Sequence, residues 1–385
     1  MERELYYLDH AAATPVDRVV LDTMLPYMSD KFYNPSSSYS LAVEVKRDYH
    51  RAKEQIARSI GVRGDEIVMT AGATESINIA MSAVGGGVVA VGATEHAAVI
   101  ESAKLQNGIV IPSDKKGRIT ADAVSKALHP DITLISIGLV NNELGVIQPI
   151  DDIMQVVEQE RTRRQEVGDV LPLYVHCDAS QALALIDVKP KRMGIDLLTL
   201  SAAKVYGPKQ VGLLWVRPGV SLTPTIAGGG QEMGLRSGTE NVAGVIGFAE
   251  AVELAMKRRN TEVKRLRVMR DYIQNELESN FPDMVVSSDK KKGLASFLHV
   301  SFPGIDAERL IFMLENQGVM VATGSACAAN KDTRSHVLEA IGMSDDLISG
   351  SLRISLGRLS SEPNIKRATE LLIDTIKSEK NRLSK

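Results

Sequence analysis

Cysteine is almost missing from this chain, with Cys177 and Cys327 the only two in 385 residues. Two thiols imply no disulfide framework, so a reducing cytoplasm is the expected setting. No apolar run approaches the length of a membrane span, and Met1-Glu2-Arg3-Glu4-Leu5 lacks the apolar core of a signal peptide. The formal net charge is only -3, which gives no reason to expect nucleic acid or an anionic membrane as the main partner. The locally basic stretch 377–385 reads as a solvated helix end. Neither G-x-G-x-x-G nor G-x-x-x-x-G-K-[ST] occurs, so dinucleotide and triphosphate readings lose support. Internal repeats and low-complexity segments are absent too. What remains is ordinary for a soluble globular enzyme: 44% hydrophobic and 24% charged residues, in a chain long enough for two domains.

Between residues 65 and 216 short apolar runs alternate with helical patterns. Strands are expected at 67–70, 87–91, 109–111, 134–139, 173–176, 197–200 and 212–216, and helices at 76–83, 119–128 and 150–166. That alternation predicts an α/β fold with a mainly parallel sheet covered by helices on both faces. A long helical pattern follows at 241–277. Mixed strands (298–301, 352–356) and helices (307–316, 334–341, 365–376) then suggest a smaller α+β domain. The expected division is a large domain at 15–258 and a small one built from 1–14 and 259–385.

Ligands bind such sheets outside the carboxyl ends of the strands, and distinctive polar residues gather there. The strand at 197 runs through Ser201 to Lys204, an amine at the end of a buried strand and a candidate imine-forming nucleophile. The strand at 173 ends in Asp178, with Gln181 just beyond. An amine that forms an imine and a carboxylate that can pair a pyridinium nitrogen are the minimum equipment for pyridoxal phosphate chemistry. Ala71-Gly72-Ala73-Thr74 precedes a helix, which makes either an anion site with Thr74 adding a hydroxyl or an ordinary N-cap. His96 follows another strand and serves as a stacking or proton-relaying imidazole, or as a structural one. Asn141-Asn142-Glu143 holds either a ligand-binding amide or a turn.

Cys177 precedes Asp178 on its strand and should face the opposite way, as a small buried residue. Cys327 lies in Gly324-Ser325-Ala326-Cys327-Ala328-Ala329-Asn330, where an accessible thiol with some thiolate character is expected. Arg353, in Ser351-Leu352-Arg353-Ile354-Ser355, alternates with apolar residues and either clamps a carboxylate or sits on a solvated face.

Taken in order, these motifs resemble the cysteine desulfurases, pyridoxal-phosphate enzymes of aminotransferase class V with the fold type I architecture. The likeness runs from Tyr7-Leu8-Asp9-His10-Ala11-Ala12-Ala13-Thr14-Pro15 through Gly72-Ala73-Thr74-Glu75-Ser76, Thr94-Glu95-His96 and Asn141-Asn142-Glu143. It continues through Asp178-Ala179-Ser180-Gln181, Lys204, Arg236-Ser237-Gly238-Thr239, Gly324-Ser325-Ala326-Cys327 and Arg353-Ile354-Ser355-Leu356-Gly357-Arg358. The cysteine segment resembles the NifS and IscS branch.

The resemblance implies that Lys204 carries the cofactor covalently, with His96 stacked on its ring, Asp178 at the ring nitrogen and Gln181 at the phenolic oxygen. Ala73, Thr74 and Ser201 would hold the phosphate, helped by Thr239 from the other subunit of a homodimer. Asn142 and Arg353 would hold the carboxylate of L-cysteine. Cys327 would take the substrate sulfur as a persulfide, leave L-alanine, and pass the sulfur to an acceptor such as an iron–sulfur scaffold or a tRNA-thiolation protein. No metal site is implied beyond a transient iron–sulfur contact at Cys327. The chain departs from the family at Ala203, where a phosphate-supporting histidine is usual. That departure implies weaker cofactor binding or compensation elsewhere. Gln210 stands in place of a usual glycine, and Ala13 where threonine is common. The alternatives are a selenocysteine lyase or other class V lyase, or a catalytically weak scaffold homologue.

Overall fold

The computed structural model describes residues 4–323 and 334–384. Its strands, in chain order, are β1 (Tyr6–Tyr7), β2 (Ile67–Thr70), β3 (Val88–Gly92), β4 (Ile109–Ile111), β5 (Ile132–Ser136) and β6 (Tyr174–Asp178). They continue with β7 (Leu197–Ser201), β8 (Gly212–Val216), β9 (Val285–Val286), β10 (Phe297–Ser301), β11 (Val319–Met320) and β12 (Ser351–Ser355). The main sheet has seven strands in the order β2-β8-β7-β6-β5-β3-β4. Only β8 runs against its neighbours; the other six are mutually parallel. Strands β2, β5, β7 and β8 are buried at every residue. They read as unbroken apolar runs because helices cover both faces of the sheet.

One close approach fixes β8 against the turn after β2. A Cβ on Gly212 would lie 2.7 Å from the Cα of Gly72, so a side chain at 212 would push that turn out of place.

The helix Val242–Asn280 spans two cores. Phe248, Val252 and Ala255 pack into the core of the main sheet, together with Ile56 and Ile60 of the helix Ser40–Ile60. Leu266, Met269, Ile273 and Leu277 pack into a second core with Tyr6, Leu8, Leu298, Leu352 and Ile354. At 39 residues the helix is about 58 Å long, enough to reach from one core to the other. The second core sits on the antiparallel sheet β12-β10-β9, beside the parallel pair β1-β11. No described helix is long and apolar enough to cross a membrane.

Most of the expected elements are present, and the differences lie at their ends. The helix expected from residue 76 begins at Ala73, directly after Gly72. The strand expected at 134–139 is β5, Ile132–Ser136. The chain beyond it stays in line, with Ile137 donating to His176 O and Leu139 to Asp178 O. The helix expected at 334–341 begins at His336, capped by Ser335.

Candidate active site

Six strands of the main sheet run the same way, so the segments leaving five of them, β2, β3, β5, β6 and β7, meet at one edge. Between them lies a cavity of about 710 Å³, lined by Ala73, Thr74, His96, Asn142, Asp178, Gln181, Ser201 and Lys204. Arg353 joins this wall from β12 of the other sheet. The chain places eleven expected residues as follows: those nine are together, Thr239 is exposed and outside the cavity wall of this single chain, and Cys327 lies outside the described residues.

Lys204 ends a short 3-10 turn after β7. Its Nζ donates to Ala11 O at 2.7 Å and Ala12 O at 2.6 Å. Ala11 O also accepts from Gln181 Nε2 at 3.0 Å. The Ala11–Ala12 backbone is therefore a platform that holds the amine at the cavity wall. Asp178 closes β6, and its Oδ1 accepts from Ser180 N at 2.9 Å and Ser180 Oγ at 2.6 Å. Those bonds fix the carboxylate in one orientation. Cys177, one residue back, points into the core as a buried apolar side chain, and burial pushes its thiol well above the ordinary range.

His96 is the N-cap of the helix Ala97–Lys104, and its Nδ1 accepts the Ala98 N–H at 3.1 Å. A backbone N–H can only donate, so Nδ1 carries no proton and Nε2 carries the ring's hydrogen. Burial lowers the imidazole's pKa, and the nearby Lys204 charge adds to this against Asp178, so the ring is neutral. At the opposite side of the cavity Gly72 caps the helix Ala73–Met81 without a side chain. The first-turn N–H groups there, with the Thr74 and Ser201 hydroxyls nearby, form an anion seat.

Arg353 is 1% exposed. Its Nη2 lies 2.7 Å from Asp9 Oδ1, its Nη1 donates to Asn142 O at 3.0 Å, and its buried Nε has no partner among the described residues. The strand carrying it is buried at every residue, so the solvated-face alternative does not hold. Asn141 makes the turn, with Oδ1 accepting from Glu143 N at 2.9 Å and Leu144 N at 2.7 Å. That leaves Asn142 in the cavity.

Two buried carboxyls, of which Glu95 lines the cavity and Glu143 does not, are not marked out by the sequence. Glu95 is buried beside His96 and accepts from Gly138 N at 2.8 Å, and burial raises its pKa to about 8. Glu143 accepts from Ser335 Oγ at 2.6 Å, and burial raises its pKa to about 7. Both sit inside motifs quoted from the sequence, and only their burial marks them.

A donor set of one amine, one oriented carboxylate, one neutral imidazole and an anion seat fits pyridoxal phosphate, which offers an aldehyde, a ring nitrogen, a flat face and a phosphate. The comparisons agree with that fit. The family model for aminotransferase class V matches residues 6–368. The chain is 37% identical over 383 residues to cysteine desulfurase IscS of Dictyoglomus turgidum, covering 97% of this chain and 94% of that one. It is 37% identical over 378 residues to cysteine desulfurase IscS 1 of Archaeoglobus fulgidus, covering 95% of each. A solved NifS-like protein superposes with a TM-score of 0.89 at 31% identity, over 97% of this chain and 100% of that one. SspA, solved in complex with cysteine, superposes with a TM-score of 0.76 at 33% identity, over 91% and 98%. From the Ala11–Ala12 platform to Arg353, the chain belongs to aminotransferase class V, among its pyridoxal-phosphate-dependent cysteine desulfurases.

Proposed function

We propose that this protein removes sulfur from L-cysteine, giving L-alanine and a persulfide on Cys327. The observation that carries the reading is the Lys204 amine and the Asp178 carboxylate on one cavity wall, with the buried Arg353 guanidinium on another. Lys204 would hold pyridoxal phosphate, Asp178 would face its ring nitrogen and Gln181 its phenolic oxygen. Ala73, Thr74 and Ser201 would seat the phosphate. The neutral His96 ring would pack against the cofactor's face. When bound, the cofactor supplies an electron sink for charge developing at the substrate Cα.

Arg353 and Asn142 would orient the substrate through its carboxylate, which fixes the direction of its side chain. Lys204 Nζ would take the Cα proton and return it, and a placed acid–base group of this kind contributes roughly 10²–10⁴ in rate. The Cys327 thiolate would attack the substrate sulfur. As the S–S bond forms, the C–S bond breaks and its electron pair stays on carbon, where a proton completes alanine. Cys327 is thereby oxidised and the carbon reduced.

We further assign 15–258 to a large domain and 1–14 with 259–385 to a small one, a division supported by the two apolar cores. A homodimer would bring the exposed Thr239 to a partner's phosphate seat. Exposed apolar surface supports that assembly: Phe32 stacks on Tyr33 at 4.6 Å, Tyr33 meets Tyr39 at 6.0 Å, and Met28 is open beside them in sequence. The sulfur acceptor would be a protein such as an iron–sulfur scaffold, met in the cytoplasm. Borohydride reduction of the reconstituted protein, followed by peptide mapping, tests the reading. A cofactor adduct on Lys204 and alanine release from L-cysteine are expected; an adduct elsewhere, or no alanine, would overturn it.

A further inference from the structure

Among the described residues, five that are not glycine stand at positive φ: Asn107, Tyr206, Gln210, Glu232 and Met233. A side chain there crowds the backbone, so the conformation persists only where something holds it or uses it. Four of the five have such a reason. Asparagine tolerates the left-handed region, and Asn107 follows the end of the helix Ala97–Lys104. The Tyr206 hydroxyl accepts from Arg358 N at 2.6 Å. The Glu232 carboxylate accepts from the Tyr49 hydroxyl at 2.6 Å and Lys53 Nζ at 2.8 Å, and Met233 shares its short turn. Gln210, at φ 58°, makes no side-chain hydrogen bond to a described residue.

Gln210 stands at the anion end of the main cavity. It lines that cavity, as do Gly72, Thr74, Ser201 and Ala203. The strand it leads into, β8, fixes its position. Gly212 pairs with Thr70 of β2 on one side and with Ser201 of β7 on the other. Val211 O accepts from Ala202 N at 3.0 Å, and a Cβ on Gly212 would lie 2.7 Å from Gly72 Cα. Residue 210 is therefore held between the turn at Gly72–Thr74 and the turn at Ser201–Ala203, the two segments that form the anion seat. Its side chain is exposed and opens onto that space.

The seat has room for a further donor. Ala203, between Ser201 and Lys204, adds only a methyl to the wall. Nearby cations are committed elsewhere: Lys209 Nζ donates to Thr14 O at 2.8 Å, and Arg236 Nε to Glu75 Oε1 at 2.9 Å. A phosphate monoester presents three strong acceptor oxygens, and the glutamine amide carries two N–H donors.

We propose that Gln210 is a cofactor-binding residue, its side-chain amide donating to the phosphate of pyridoxal phosphate across the gap left by the Ala203 methyl. Glycine at 210 would hold the same turn without strain but would bring no donor, so the strained backbone is the cost of placing the amide. The inference rests on the reading of Ala73, Thr74 and Ser201 as the phosphate seat and of Lys204 as the cofactor's lysine.

Equilibrium titration of the full-length protein, stripped of cofactor, with pyridoxal phosphate and with pyridoxal isolates the phosphate contact. Gln210→Gly is expected to bind pyridoxal phosphate about tenfold more weakly, the lower end for a hydrogen bond to a charged group, and to bind pyridoxal as wild type does. Its urea midpoint is expected to be no lower than that of wild type, because glycine relieves the backbone. Gln210→Glu keeps the shape but sets a carboxylate against the phosphate, and should bind pyridoxal phosphate more weakly than Gln210→Gly. An affinity of Gln210→Gly for pyridoxal phosphate within twofold of wild type, an equal loss towards pyridoxal, or a loss matched by a lower urea midpoint would each overturn the proposal. So would Gln210→Glu binding as tightly as wild type. Wild-type protein with no borohydride-reducible adduct on Lys204 would overturn the functional reading instead.

Discussion

Replacing Arg353 with leucine separates what the guanidinium does for the fold from what it does for substrate. In the fold it stands 2.7 Å from Asp9 Oδ1, with side-chain exposures of 2% for Arg353 and 17% for Asp9. Removing one partner of a buried pair costs about 3–5 kcal/mol, because the other charge is left without compensation. Asp9 keeps some contact with water, so the lower end, about 3 kcal/mol, is expected. The double variant Asp9→Asn/Arg353→Leu has no stranded carboxylate and should recover about 2 kcal/mol of that loss. Towards substrate, two charge-assisted hydrogen bonds to a carboxylate are worth roughly 3–4 kcal/mol together. A loss of that size lowers kcat/KM by about 150- to 1000-fold. Urea unfolding measures the first effect and alanine release the second. The double variant is expected to be stable again and still catalytically poor. Recovery of kcat/KM along with stability, or a single variant within threefold of wild type, would refute the assignment of Arg353 to the substrate carboxylate.

Glu95 sets a pH dependence of stability with a definite sign. Its pKa rises from the ordinary 4.5 to about 8 on folding, so between those values the folded chain holds a proton that the unfolded chain has lost. Stability therefore falls as pH rises through that window, by at most about 1.4 kcal/mol per pH unit from this group. Glu95→Gln should be more stable than wild type at pH 8 and close to it below pH 5; urea midpoints at both pH values check this, and an equal difference at both would contradict it. Gly212→Ala places a Cβ 2.7 Å from Gly72 Cα. A stability loss of about 1–3 kcal/mol is expected, with weaker pyridoxal phosphate binding in equilibrium titration because the anion seat moves with Gly72. Unchanged affinity would detach Gly72 from that seat.

The parts of this fold legible in the sequence were those with unbroken apolar runs. Strands β2 and β8 appear at the expected residues because both faces of the sheet are covered there and nearly every side chain is apolar; β4, at the sheet edge, kept its apolar run although Ile109 and Val110 are exposed. The helix at Ala73 was expected three residues late because its first turn is set by Gly72 and the anion seat, not by apolar periodicity. The reversed direction of β8 left no mark either, since an antiparallel strand buried on both faces reads like a parallel one. Asp178 was legible because it ends a strand and Lys204 because it lies one short turn beyond another, and strand ends on one sheet edge converge. Asp9, His10 and Glu143 were not, because their roles depend on partners far along the chain: Asp9 meets Arg353, His10 meets Ser355, and Glu143 meets Ser335.

The central claim, sulfur transfer from L-cysteine onto this chain, is tested most directly by mass spectrometry of the protein after brief incubation with L-cysteine and without reductant. One added sulfur atom on the peptide carrying Cys327, alanine in matching amount, and neither product in Lys204→Ala are expected. Alanine formed without added sulfur on that peptide, or undiminished in Cys327→Ser, would contradict it.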